Sequence, residues 1–152
     1  MKQAIEQSFV FIKPGNFGYC LEIFECLNNS LKSDFSKQMP VHLLRVPEKI
    51  IREHYKDIKG EVFYEATIQA FLTSERGIVL TCYSGKNIIQ RVRETIENTN
   101  PKKAKPGTIR RIFSNDSLEV AFRERRYLNN VIHSSSSRED AERELKLWKD
   151  YL

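Results

Sequence analysis

The chain has 152 residues, 40% apolar and 30% charged, with a net charge of +5. That length suits one domain, residues 1–152, with a proper core, and the composition excludes collagenous, disordered and coiled-coil classes. Cys20, Cys26 and Cys82 are an odd set without metal-ligand spacing, so reduced packing thiols are expected.

At the amino end, Met1 to Gln7 precede an apolar run of only four residues, Phe9 to Ile12. This is too short for a signal-peptide core or a membrane span, and a cytoplasmic protein with no membrane partner is expected. Phe9–Ile12 reads as a strand buried on both faces and closed by the turn Lys13-Pro14-Gly15, which leaves Lys13 at a strand's carboxyl end. Cys20, Leu21, Phe24, Leu27 and Leu31 recur at helical spacing and predict one apolar stripe. Val41 to Val46 predicts a second strand, Pro47 opens a short charged helix through Tyr55, and a further helix spans about Val62 to Leu72.

Gly77 to Tyr83 predicts the next strand, followed by a helix with Ile88, Val92 and Ile96 on one face. Asn98 to Lys105 is a polar, proline-containing loop, and a short apolar strand ends at His133. Ser137-Arg138-Glu139-Asp140 fits a capping box opening a final helix, with Ala141, Leu145, Trp148 and Leu152 as its buried stripe and Glu144 beside that stripe. The order predicts an α+β domain of the ferredoxin-like kind (βαββαβ), one antiparallel sheet covered by helices.

The charge is unevenly placed. Lys102 to Arg126 holds eight basic residues against three acidic ones, the whole of the +5 excess. Such a segment attracts polyanions, whether a nucleotide's phosphates or a nucleic-acid backbone.

A lone histidine is usually a packing or surface residue, and His42 and His54 are read so. His133 differs by its company: Ser134 and Ser135 follow it, and Glu144 comes eleven residues later on a helix. A neutral imidazole can serve as a nucleophile near neutral pH, and a carboxylate can orient the ring and stabilise its phosphorylated cation. The bland alternative has Glu144 pairing with Arg143 or Lys146 in solvent. Phosphoryl transfer also needs converging cations, because negative charge spreads over the phosphoryl oxygens. Lys13, Arg93 and Arg110, from a strand end, a helix and a loop, are the candidates. No P-loop or protein-kinase signature is present; a covalent phosphohistidine requires neither.

Phe11-Ile12-Lys13-Pro14, Glu53-His54-Tyr55 with Phe63, Thr99-Asn100-Pro101, Lys105-Pro106-Gly107-Thr108-Ile109-Arg110, Asn130 to Ser135, and the Ala141, Glu144, Trp148 pattern occur in this order. Together they resemble the nucleoside diphosphate kinase family from about Phe9 to Trp148. The resemblance implies that His133 is the phosphorylated nucleophile, that Lys13 and Tyr55 contact phosphate and histidine, and that Glu144 with Ser135 supports the ring. It implies Phe63 stacking on the base, Arg93, Thr99 and Arg110 binding nucleotide phosphates, and Asn130 contacting the sugar and γ-phosphate region. Magnesium would arrive on the nucleotide's own phosphates, with no protein metal cage, and a homo-oligomer is implied.

The chain departs from the family in its loops. Lys13-Pro14-Gly15-Asn16 stands where Lys-Pro-Asp-Gly is usual, and Ser134-Ser135 replaces Gly-Ser. The stretch from Arg110 to His133 is about ten residues longer than usual. These loops serve subunit packing in the family, so a hexamer does not follow, and the sequence assigns no role to Ser114 to Asn129. The expected activity is γ-phosphate transfer between nucleoside tri- and diphosphates through phosphorylated His133, in two half-reactions. A different class of reading is a non-catalytic nucleotide- or nucleic-acid-binding protein using the basic segment 102–126, although no aromatic RNA-binding strand signature occurs.

Overall fold

The computed structural model describes residues 4–152; of the amino-terminal segment read for a signal peptide, the first three residues lie outside them. Strand β1 (Ile5–Ile12) leads through Lys13-Pro14-Gly15 into α1 (Cys20–Leu31). Two short strands follow, β2 (Phe35–Lys37) and β3 (Val41–Leu43), then α2 (Glu48–His54) and α3 (Tyr64–Leu72). The chain continues with β4 (Ile78–Lys86), α4 (Ile88–Ile96), α5 (Ile109–Phe113), α6 (Leu118–Glu124), β5 (Ile132–Ser134) and α7 (Arg138–Trp148).

The sheet is antiparallel, in the order β2-β4-β1-β5, with β3 also paired to β4. β1 runs along one edge of β4, so β2 and β3 together form a single interrupted strand on the other. This is the expected α+β ferredoxin-like sheet. Phe9 to Ile12 is buried on both faces as the continuous apolar run predicts. Val10 and Ile12 join Ile23, Leu27, Val92 and Ile96 on one side. Phe9 and Phe11 join Ile51, Ile68, Phe71 and Trp148 on the other. At the start of β4, Gly77 has φ +63, and a Cβ there would sit 2.0 Å from the Leu43 carbonyl oxygen, so only glycine lets β3 approach.

Helix stripes mostly follow the reading, with two corrections. Leu21 is 79% exposed and Ile23 takes the inward position on α1. On α7, Ala141 and Trp148 are buried as expected, but Glu144 lies within the buried stripe, Leu145 is only partly covered, and Leu152 lies beyond the helix, also partly covered. Ser137 caps α7, its hydroxyl accepting from the Asp140 N–H at 3.0 Å. The three cysteines are free thiols; Cys82 is buried, and Cys20 and Cys26 pack partly buried against the core. No helix among the described residues is long and apolar enough to cross a membrane.

Candidate active site

β5 lies against β1 with His133 opposite Phe11, and the imidazole stacks on that ring at 4.8 Å between centroids. Just before β5 the chain bends: Val131, fully buried, has φ 78, a left-handed conformation strained for a β-branched residue. Its carbonyl accepts the Lys13 N–H at 2.8 Å, which ties the bend to the end of β1.

Behind the ring the hydrogen bonds form a closed set. His133 Nε2 is 2.6 Å from Glu144 Oε2, and the Ser135 hydroxyl donates to Glu144 Oε1 at 2.7 Å. That hydroxyl also accepts the Phe9 N–H at 2.9 Å. Glu144 is 2% exposed, so the solvent pairing with Arg143 or Lys146 is ruled out. A neutral His133 donating from Nε2 keeps its lone pair on Nδ1, for which the described residues provide no hydrogen-bond partner.

His54, read from sequence as an ordinary histidine, is buried 4.6 Å from the His133 ring, centroid to centroid. Its Nδ1 accepts the Trp148 indole N–H at 3.1 Å, which leaves its proton on Nε2, 3.6 Å from Glu144 Oε2. Burial, then the nearby His133, pushes its pKa well below the ordinary value. His54, His133 and Glu144 present ligand atoms within 4.8 Å of one another. The 2.6 Å His133–Glu144 contact is shorter than the roughly 3.4 Å between two ligands of one tetrahedral ion. The cluster therefore fits an orienting relay better than a metal centre.

In front of the ring a cavity of about 810 Å³ opens, a size usual for small-molecule sites. Lys13, Tyr55, Phe63, Arg93, Thr99, Arg110, Asn130 and His133 all line it. Ser135 and Glu144 stand behind the ring instead. Lys13 Nζ donates to Asn130 Oδ1 at 2.7 Å and to the Leu128 carbonyl at 3.2 Å. Burial, with Arg110 close by, lowers its pKa to about 7. Asn130 in turn donates to the Thr99 carbonyl at 3.0 Å.

The Arg110 guanidinium is held by three backbone carbonyls, Asn130, Glu97 and Ile132, at 3.1, 3.0 and 2.8 Å. Burial lowers its pKa only to about 10, so it stays cationic at neutral pH. Arg93 is exposed and donates to the Ser136 carbonyl at 2.9 Å. Burial and the Glu144 charge raise the Tyr55 pKa, keeping its hydroxyl protonated.

The cavity also has residues that the sequence reading left unassigned: Leu118, Ala121 and Phe122 of α6, with Arg126 and Leu128. The basic segment is not one open patch. Arg110 turns into the cavity, Arg126 pairs with Asp116 and Glu124, and Arg111 donates to the Lys102 carbonyl.

The family model for "Nucleoside diphosphate kinase" matches residues 6–150. A nucleoside diphosphate kinase of Symbiobacterium thermophilum is 35% identical over 95% of this chain and 87% of its own. One of Methanocaldococcus jannaschii is 34% identical over 94% and 92%. Among solved structures, a transition-state mimic of the Borrelia burgdorferi nucleoside-diphosphate kinase with bound vanadate and ADP superposes with a TM-score of 0.79 at 27% identity, covering 95% of this chain and 86% of that one. An NDP kinase from Pyrobaculum aerophilum shares the fold with a TM-score of 0.79 at 21% identity, covering 98% and 100%. With a family match over nearly its whole length and relatives at one-third identity, this chain belongs to the nucleoside diphosphate kinase family.

Proposed function

We propose that the protein moves the terminal phosphate of a nucleoside triphosphate to a nucleoside diphosphate through phosphorylated His133. The observation carrying this is the two-sided environment of the imidazole. Nε2 is fixed to Glu144 at 2.6 Å, while the ring borders a cavity lined by Lys13, Arg93 and Arg110. In the first half-reaction Nδ1 attacks the γ-phosphorus; the P–N bond forms as the bond to the β–γ bridging oxygen breaks, and the diphosphate leaves. The second half-reaction runs the same path in reverse with a different diphosphate, so one site serves donor and acceptor in turn.

The residues divide the work. Glu144 takes the charge of the phosphorylated imidazole, with Ser135 holding the second carboxylate oxygen. Lys13, Arg93 and Arg110 neutralise phosphate oxygens, Tyr55 donates its hydroxyl, and Thr99 and Asn130 line the sugar–phosphate end. Phe63 offers its ring to the base. Lys13, Arg93 and Arg110 supply cations, Glu144 is engaged by His133 and Ser135, and Glu94 and Glu97, which also line the cavity, belong to no group of three metal-ligating side chains among the described residues; this suits magnesium carried on the nucleotide's phosphates. Bound there, the ion would neutralise phosphate charge. We also place the protein in the cytosol, as one domain and as a homo-oligomer.

Incubation with γ-labelled ATP and magnesium should give acid-labile protein label that GDP chases into GTP. Absence of label in the wild type would overturn the proposal; its loss in His133→Gln supports it. Against the nucleic-acid reading, two of the segment's eight cations are taken up within the protein, Arg110 by the cavity and its backbone carbonyls and Arg126 by Asp116.

A further inference from the structure

The segment by which this chain exceeds the family's usual spacing folds into α6, and α6 stands on the nucleotide side of the cavity. Leu118, Ala121 and Phe122 lie at i, i+3 and i+4, one helical face, and all three line the cavity that contains His133 and Phe63. Ala121 is buried, yet Leu118 and Phe122 are 40% and 54% exposed. Large apolar side chains left open inside a concave site mark a surface that a ligand covers.

The helix is fixed to the phosphate-binding segments at both ends. The Ser117 hydroxyl caps it by accepting the Val120 N–H at 3.2 Å, and the Leu118 N–H donates to Asn100 Oδ1 at 3.1 Å. Asn100 Nδ2 donates to both Glu119 oxygens at 3.1 and 3.0 Å. Beyond the helix, Arg126 forks onto Asp116 at 2.7 and 2.8 Å, and Asp116 accepts the Asn129 N–H at 3.0 Å. Asn100 follows Thr99 and Asn129 precedes Asn130, so the placement of α6 is coupled to that of the phosphate and sugar contacts.

We propose that α6 is the second wall of the base subsite: the nucleobase is clamped between the Phe63 ring and the Leu118–Phe122 face. The occupant follows from continuity. A nucleotide with its phosphates at His133, Lys13 and Arg110 extends its base into the remainder of the same cavity, where these apolar groups lie. This rests on the phosphotransfer reading for where the phosphates sit. An aromatic and aliphatic clamp reads area rather than hydrogen-bond pattern, so purines gain more from it than pyrimidines.

The test is calorimetric titration of the full chain with magnesium ADP, magnesium CDP and magnesium tripolyphosphate, alongside kcat and KM. Phe122→Ala is expected to weaken ADP about five- to tenfold and CDP less. Tripolyphosphate affinity should be unchanged, KM should rise and kcat should hold, since the lost contact is the same in ground and transition states. Phe122→Trp should restore ADP binding. ADP affinity unchanged in both Phe122→Ala and Leu118→Ala, or an equal loss for tripolyphosphate, would overturn the clamp. Because binding is read without turnover, a wild type that takes no label but loses ADP affinity in Phe122→Ala would sink phosphotransfer and support the clamp.

Discussion

Behind His133, Glu144, Ser135, His54 and Trp148 are buried and each meets a partner within the protein. On α6, Leu118 and Phe122 line the cavity and stay about half exposed, with apolar surface that the protein leaves uncovered. The first wall is closed by directional, strong hydrogen bonds to a charged group, which suits the proposed nucleophile, since that ring must be held in one tautomer at one angle. The second wall is apolar and open, which suits the proposed base subsite, where what it meets changes with each nucleotide. Geometry is needed where bonds form, and area where different bases are tolerated.

Breaking the first wall should cost most. His133→Gln removes the proposed nucleophile, and label transfer from ATP to GDP should fall below detection in a radiolabel chase. Arg110→Ala should slow phosphoenzyme formation by about a hundred- to a thousandfold in single-turnover kinetics, the usual loss for one preorganised charge donor. Glu144→Gln keeps the shape but loses the anion; roughly ten- to a hundredfold in phosphorylation rate is expected, from the worth of a hydrogen bond to a charged group. An unchanged rate would show that the ring needs no anion behind it.

A smaller effect should follow pH. With its pKa lowered to about 7, Lys13 loses its charge as pH rises through that value, so nucleotide affinity should fall between pH 6 and pH 8 by up to about tenfold, with proton uptake on binding. Lys13→Arg should remove that dependence in calorimetry. The unfolded chain holds the Lys13 proton up to 10.5, so the folded state binds fewer protons and stability rises with pH between about 7 and 10.5. His54 acts in the same direction below 6.5, where unfolding protonates a ring kept neutral by burial. Urea unfolding across pH measures both. Trp148→Phe acts on stability rather than on the reaction: it leaves His54 Nδ1 without its donor, and about 2 kcal/mol of stability should be lost.

Sequence periodicity revealed the elements whose apolar residues face the core. Phe9 to Ile12, and Ile88, Val92 and Ile96, are where the pattern puts them, because burial there requires a regular repeat. Glu144 is legible in the sequence as the carboxylate beside His133, but not as a member of the buried stripe, because a carboxylate there is tolerated only when Ser135 and His133 satisfy it. β2 was missed because three residues on a sheet edge, two of them exposed, carry no alternation. α6 was missed because Leu118 and Phe122 face a cavity, so no apolar stripe runs into the core. His54 is a matter of distance, since only the fold brings residues 54, 133 and 144 together.

The bend at Val131 also sets the parity of the strand that carries His133. In an extended strand successive side chains alternate between faces, yet Val131 and Ile132 both enter the same core layer. The left-handed turn uses up one step of the alternation, and His133 emerges on the opposite side, against Phe11. A residue inserted or removed between Asn130 and His133 would therefore move the imidazole to the wrong layer rather than merely shift it along. The three-residue spacing is a phase as well as a length.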